Sequence, residues 1–386
     1  MTSPRVPGQH ASHAGLLDES RTARAQARFE AIVVPTYRPV RRLRSCIDLA
    51  RRTETPLIVV CSKAVHQDEV IKRATRANVE AFAFDLPREN PLGIDFATSH
   101  DEELSAASPG WNRDLSMKRN LGLVLARLLD WKRLMFLDDD ILDVSEDDIV
   151  ALAAALDDHS VSALIPKEFP DNSVVCHAHR LGGGKQDVFA SASGIGVNCE
   201  RDEQAFFPNV YNEDWFFFAD EAAGHRIAKV GESRQRKYNP YDDPRRAARE
   251  EFGDLLAEGL YARLDLNEEI RDVDTDYWRE FIKRREEFHQ SVAGALGHTR
   301  HWYKAFRARR SVRAAQDQLA RITPELCQKF VRLWQDDREK WRSYLAGLPP
   351  CDSITAAFQY LKIEPAVSLP RKSVIQRQVR QGRVGG

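Results

Sequence analysis

Four short apolar runs in the first 140 residues, Ala31–Pro35, Leu57–Cys61, Val79–Phe84 and Arg133–Leu137, are separated by segments whose apolar residues recur at helical spacing. The runs are built almost wholly from apolar residues without polar alternation, so both faces of each strand require burial. A sheet covered by helices on both sides meets that requirement, and parallel strands need long crossovers, usually helical, to bring the chain back to the same edge. The intervening segments supply them: Val40–Arg51 places Leu43, Ile47 and Ala50 on one face, residues 68–77 follow, and Leu115–Leu129 precedes the fourth run. The expected fold is α/β, with a mainly parallel, Rossmann-like sheet.

Downstream the spacing predicts a helix over Glu146–Leu156, a strand over Val161–Ile165, an apolar segment Val188–Val197 interrupted at Ser193-Gly194, a helix from Asn212 through Ala223 and a last strand at Arg226–Val230. From about Pro244 only helical periods remain, carried by Trp278, Phe281, Phe288, Phe330, Trp334 and Trp341. At 386 residues the chain exceeds what one core of roughly 250–300 residues fills. The expected organisation is a tail over 1–28, an α/β domain over 29–243, a helical subdomain over 244–364 and a flexible tail over 365–386. Pro87 to Asp114 is a polar stretch without period, long enough to be functional.

Charged residues are 30% of the chain and apolar ones 42%, with a formal charge of −1, which excludes overall attraction to nucleic acid or acidic membranes. The six cysteines have no C-x-x-C spacing and read as reduced, buried thiols. No secretory signal opens the chain, and no apolar run approaches the ~20 residues that span a bilayer. The cytoplasm is the expected location, with any membrane association peripheral. After Glu364 come Arg371, Lys372, Arg377, Arg380 and Arg383 and no acid. This is either a solvated tail or one that docks on an acidic partner, a nucleic acid or a lipid surface.

The fourth run ends in Asp138-Asp139-Asp140. Three consecutive carboxylates repel unless a cation neutralises them, and oxygen ligands suit Mg²⁺ or Mn²⁺. Strand ends are also where open α/β sheets bind ligands. The plainer alternative is an acidic turn that caps the next helix. About 18 residues upstream, Lys118-Arg119-Asn120-Leu121-Gly122 opens a helix, and a helix, turn and strand of that length return its basic groups to the acidic strand end. Cations and a metal converging there would neutralise a diphosphate leaving group. The alternative for the basic segment is a solvated helix face.

Val34-Pro35-Thr36-Tyr37-Arg38, Lys118-Arg119-Asn120-x-Gly122, Phe136-Leu137-Asp138-x-Asp140 and Asn212-Glu213-Asp214-Trp215 occur in an order and spacing that resemble glycosyltransferase family 2, over residues 30–240. The resemblance implies a GT-A-type fold and a metal-dependent transfer of a sugar from a nucleotide diphosphate sugar to an unidentified acceptor hydroxyl, with Mn²⁺ or Mg²⁺ as cofactor. It places Pro35, Thr36, Arg38, Lys118, Arg119, Asn120, Asp138 and Asp139 beside the donor, with Ser193 and Gly194 as the small-residue stretch beside the sugar. Asp138 and Asp140 would hold the metal. Asp214 would be the general base and Glu213 the second candidate, with inversion expected.

The chain departs from the family pattern in two places. Val59-Val60-Cys61-Ser62-Lys63 lacks the acidic residue common after the second strand, for which Asp85 would substitute unless it is an ordinary turn residue. Gly231–Tyr238 lacks the usual His, leaving Arg236 or Lys237 to meet phosphate. The Gln-x-x-Arg-Trp motif of processive synthases is absent, so single transfer is expected. A nucleotidyltransferase and a non-catalytic nucleotide-sugar-binding scaffold stay open. His177 and His179 are candidates to line the acceptor pocket, because Cys176-His177-Ala178-His179 does not match structural zinc spacing.

Overall fold

The computed structural model describes residues 13–19, 27–111, 114–169, 171–200 and 205–370. In chain order, β1 (Leu17–Glu19), β2 (Ala31–Thr36), α1 (Arg44–Thr53), β3 (Leu57–Cys61), α2 (Gln67–Arg76), β4 (Ala81–Asp85), α3 (Ala97–His100), α4 (Glu102–Ala107), α5 (Asp114–Leu128) and β5 (Arg133–Leu137) form the first half. They are followed by β6 (Ile141–Leu142), α6 (Glu146–Ala155), β7 (Val161–Lys167), α7 (Val174–Leu181), β8 (Gly194–Asn198), α8 (Glu213–Ala223) and β9 (Ile227–Gln235). The helical end comprises α9 (Arg245–Leu264), α10 (Thr275–Ala295), α11 (Trp302–Leu319), α12 (Pro324–Ala346) and α13 (Ile354–Tyr360), and β10 (Ala366–Ser368) returns to the sheet.

The sheet runs β1-β9-β7-β8-β5-β2-β3-β4-β10, with β6 beside β9. Strands β5, β2, β3 and β4 are parallel neighbours, and β8 is antiparallel to both β5 and β7. Because of that reversal the start of β8 meets the end of β5, with Leu137 opposite Gly194. The predicted helix-covered, mainly parallel sheet is therefore observed, with a helical C-terminal part.

Burial follows the two-residue period of each strand. Val33, Val60, Phe84 and Phe136 face the layer of α5, α8 and α9. Val34, Val59, Met135 and Leu137 face α1, α2 and α6. Gly122 on α5 lets that helix lie close to the sheet, since a Cβ there would stand 3.0 Å from the Phe136 ring and 3.1 Å from Val33.

Three expectations need correction. Residues 13–19 are no tail: β1 adds to β9, Leu16 is buried, and the His13 ring stacks on Tyr261 and accepts a hydrogen bond from the Ala190 amide. A short segment with one buried apolar side chain has too little pattern to reveal this. Residues 20–26 lie outside the described residues. At the other end β10 covers the edge of β4, and the Ser368 hydroxyl donates to the Val79 carbonyl. The five basic residues beyond it also lie outside the described residues. Finally, the core does not break at residue 244: Phe252, Tyr261, Trp278, Phe330 and Trp341 pack in the same cluster as Val33 and Phe136.

The C-terminal helices hold the segment around residues 97–103 in place. Asp337 on α12 accepts from the Ala97 and Thr98 amides at 2.7 and 2.8 Å and from the Thr98 hydroxyl at 2.7 Å, satisfying the free N–H groups at the start of α3 from a distant part of the chain. Asp337→Ala leaves those buried donors unpaired, a cost of about 1–3 kcal/mol. The expected result is faster proteolytic cleavage between residues 87 and 111, and an unchanged cleavage pattern would refute the tie. Among the described residues no helix is long and apolar enough to cross a membrane.

Candidate active site

The three strand-end aspartates have different sets of partners, two of them sharing Arg38. Asp139 turns under β2, accepting from the Thr36 hydroxyl at 2.5 Å and pairing with Arg38. Asp140 meets the second Arg38 nitrogen at 3.0 Å and the Gln235 amide at 3.1 Å, while its Oδ1 is buried with no hydrogen-bond partner among the described residues. Asp138 faces Arg119 at 3.1 Å. Burial pushes its carboxyl up to about 6, an effect that the neighbouring aspartates reinforce and the Arg119 and Arg38 guanidiniums oppose. Burial also raises the Asp140 carboxyl, against the pull of Arg38.

Helix α5 delivers the basic segment, and its helical turn sends consecutive residues apart. Lys118 donates to the Thr36 carbonyl at 2.8 Å and the Ser62 hydroxyl at 2.7 Å, bracing the ends of β2 and β3. Desolvation lowers its pKa to about 8. Arg119 bridges Asp138 and Glu213. Asn120 pairs with both the amide and the carbonyl of Phe207, at 2.8 and 2.9 Å.

The Glu213-Asp214 pair opens α8. Asn212 before it adopts a left-handed conformation, φ 60°, and its side-chain amide donates to Asp254 on α9 at 3.0 Å. Helix α9 comes close because residue 253 is glycine: a Cβ there would fall 2.3 Å from the Tyr211 carbonyl oxygen. Asp214 accepts from the Ala192 and Trp215 amides at 2.9 and 3.0 Å. Burial and the adjacent Asp214 push the Glu213 carboxyl upwards, while Arg119 pulls it back.

Asn212 is tied through Asp254 to a fully buried ionic cluster. Arg285 on α10 donates to Glu251, Asp254 and Glu258 at 2.7, 2.6 and 2.7 Å. The other Asp254 oxygen holds both Asn172 and Asn212. Cys176, Asp254 and Glu258 lie close enough to share a cation, but Arg285 already engages both carboxylates.

One cavity of about 190 Å³ is lined by Arg119, Asp138, Ser193, Glu213 and Asp214, so residues from α5, the end of β5, the start of β8 and α8 converge. Its other wall includes Trp111, Asn172, Tyr211, Gln235, Tyr238 and Arg246. Pro35, Thr36, Arg38, Lys118, Asp139, Asp140 and Gly194 do not line it, and Asn120 lines a separate cavity of about 270 Å³ under residues 86–100.

Asp85, at the end of β4, accepts from the Gln67 amide at the start of α2 at 3.1 Å. His177 is buried against Phe169 and Tyr238 and does not line the cavity, nor does His179, which packs on Phe288. Gln235, in the segment expected to carry a His, bonds Asp140 directly, and the Arg236 amide bonds the Asp140 carbonyl at 2.8 Å. Sequence reasoning missed Gln235, Tyr238 and Arg246. The first two lie in a segment already singled out, whereas Arg246 reaches the cavity only through the docking of α9.

No family model and no curated protein matches the chain in sequence. Among solved structures it is similar to core-mannan synthase A from Aspergillus fumigatus in its Mn/GDP form, at 12% identity and a TM-score of 0.27, over 55% of this chain and 73% of the other. A likeness at that score decides nothing about ligand or reaction, which rest on the side chains described above.

Proposed function

We propose that the protein is a metal-dependent glycosyltransferase of GT-A type, akin to family 2, that moves a sugar from a nucleotide diphosphate sugar to an acceptor hydroxyl with inversion. The observation that carries this reading is the single cavity where Arg119, Asp138, Ser193, Glu213 and Asp214 meet, since these come from three of the four motifs and the intervening small-residue stretch.

The acidic residues fit a divalent cation. Among the described residues Asp138, Asp139, Asp140, Glu213 and Asp214 pair with two guanidiniums, Arg38 and Arg119, and the buried Oδ1 of Asp140 has no hydrogen-bond donor. Asp138 and Asp140 would hold Mn²⁺ or Mg²⁺, whose charge would offset that of the departing diphosphate. Asp139 is spent on Thr36 and Arg38, so it and Thr36 set the shape of the strand end and do not grip the donor. Asn120 likewise fixes the 205–210 segment. Arg119 holds both Asp138 and Glu213 at the cavity. Asp214, anchored by two backbone amides, receives the acceptor proton.

Thermal denaturation with nucleoside diphosphates and nucleotide sugars, with and without Mn²⁺, tests the donor assignment. A ligand at about a hundredfold its Kd contributes about 2.7 kcal/mol to the native state. The expected result is an Mn²⁺-dependent rise in Tm with one nucleoside diphosphate series that Asp140→Ala abolishes. A rise that survives Asp140→Ala would refute the metal ligands, and release of pyrophosphate on turnover would indicate nucleotidyl transfer.

A further inference from the structure

Helix α11 breaks the usual rule for a surface helix. Its buried side is ordinary: Ala305, Ala308, Val312 and Ala315 pack against α7 and α9 with Tyr241 and Val292. On the outer side, where polar residues belong, Trp302, Tyr303 and Phe306 are 76%, 60% and 56% exposed. At about 100° per residue these rings and Arg309, Arg310 and Arg313 fall within one stripe about 120° wide. Three large rings within two turns of a helix make an exposed apolar patch, which marks an interaction surface.

The charge around the rings identifies the partner. Between Glu287 and Asp317 the chain has no acidic residue, yet it carries Arg300, Lys304, Arg307, Arg309, Arg310 and Arg313. Arg307 is engaged by Asp242 and Arg313 by Asp317, while Arg300, Lys304, Arg309 and Arg310 are exposed. Amphipathic rings beside long cationic side chains suit a lipid headgroup layer: the rings enter the acyl boundary and the cations meet anionic headgroups. A nucleic acid would satisfy the cations, but a duplex offers the three rings no apolar medium. An unpaired polynucleotide, on whose bases rings can stack, is the competitor.

We propose that the exposed stripe of α11 is a membrane-surface docking site, which seats the protein on a bilayer bearing anionic phospholipid. Arg307 of α11, outside the stripe, donates to Asp242, four residues after the cavity-lining Tyr238. The inference stands on the helix alone and is independent of the reaction proposed for the cavity.

Co-sedimentation of the full chain with phosphatidylcholine vesicles, with and without phosphatidylglycerol, tests it. Binding is expected only with the anionic lipid, and raised salt should weaken it. The triple variant Trp302→Ala/Tyr303→Ala/Phe306→Ala should bind at least about tenfold more weakly, as should Arg309→Glu/Arg310→Glu, with circular dichroism unchanged because the substituted side chains are exposed. Brominated acyl chains should quench tryptophan fluorescence in the parent protein and not in Trp302→Phe. No vesicle binding would overturn the proposal. So would binding undiminished in the triple variant, which would assign it to the basic residues after 370, or preferential binding to a single-stranded polynucleotide.

Discussion

Replacing Arg285 with alanine should destabilise the protein by about 3–5 kcal/mol, among the largest effects of any single substitution outside the cavity. Arg285 is fully buried and is the shared partner of Glu251, Asp254 and Glu258. Burial, reinforced by Asp254 and Glu251, raises the Glu258 carboxyl well above its usual range even though Arg285 opposes this. Without the guanidinium, three acidic groups would share a fully buried site, and each would have to take up a proton or draw the helices apart. Lysine should not rescue the loss, because one ammonium on a flexible stem cannot reproduce a planar fork spread over three carboxyl groups. Urea denaturation measures the effect, and a loss under about 1 kcal/mol would show that the cluster relaxes without its cation. The same substitution reaches the cavity, because Asp254 also holds Asn212 in its left-handed conformation just before Glu213-Asp214.

The parts of the fold legible in the sequence are those that depend on local periodicity. Leu57–Cys61 and Arg133–Leu137 match their strands end to end, and α5 begins one residue before the predicted start, because uninterrupted apolar runs and helical spacing leave few alternatives. The converging motifs were legible for a related reason, since strand ends and helix starts alternate along one edge of a parallel sheet. What could not be read is the direction of each side chain within a motif. Asp138, Asp139 and Asp140 are equivalent as letters, yet one lines the cavity, one is buried under Thr36 and one is held by Arg38 and Gln235. The role of Arg285 was equally hidden. Its three acidic partners lie on α9 at residues 251, 254 and 258, a helical spacing that in isolation describes a charged surface face. Burial is decided by the docking of α10, which no local pattern records.

Glu213 and Asp214 are the two candidates for the proton acceptor, and their surroundings separate them. Glu213 is tied to Arg119, the same guanidinium that steadies Asp138, so a proton on Glu213 would cost an ion pair and disturb the acidic strand end. Among the described residues Asp214 accepts only from the neutral amides of Ala192 and Trp215, which fix its orientation and leave each oxygen a further lone pair. Asp214→Asn should therefore lower turnover by about 10²–10⁴-fold, the range for loss of a positioned general base, while donor binding stays close to that of the parent. Glu213→Gln keeps the shape but releases Arg119, so it should weaken metal-dependent donor binding together with turnover. The measurement is initial rate against donor concentration for both variants, with nucleotide affinity determined separately by calorimetry. If Asp214→Asn retained more than about a tenth of the parent rate while Glu213→Gln lost turnover without losing donor affinity, the roles would have to be exchanged. If neither variant changed turnover, acceptor activation would lie with another group lining the cavity, such as Tyr211, Tyr238 or Arg246.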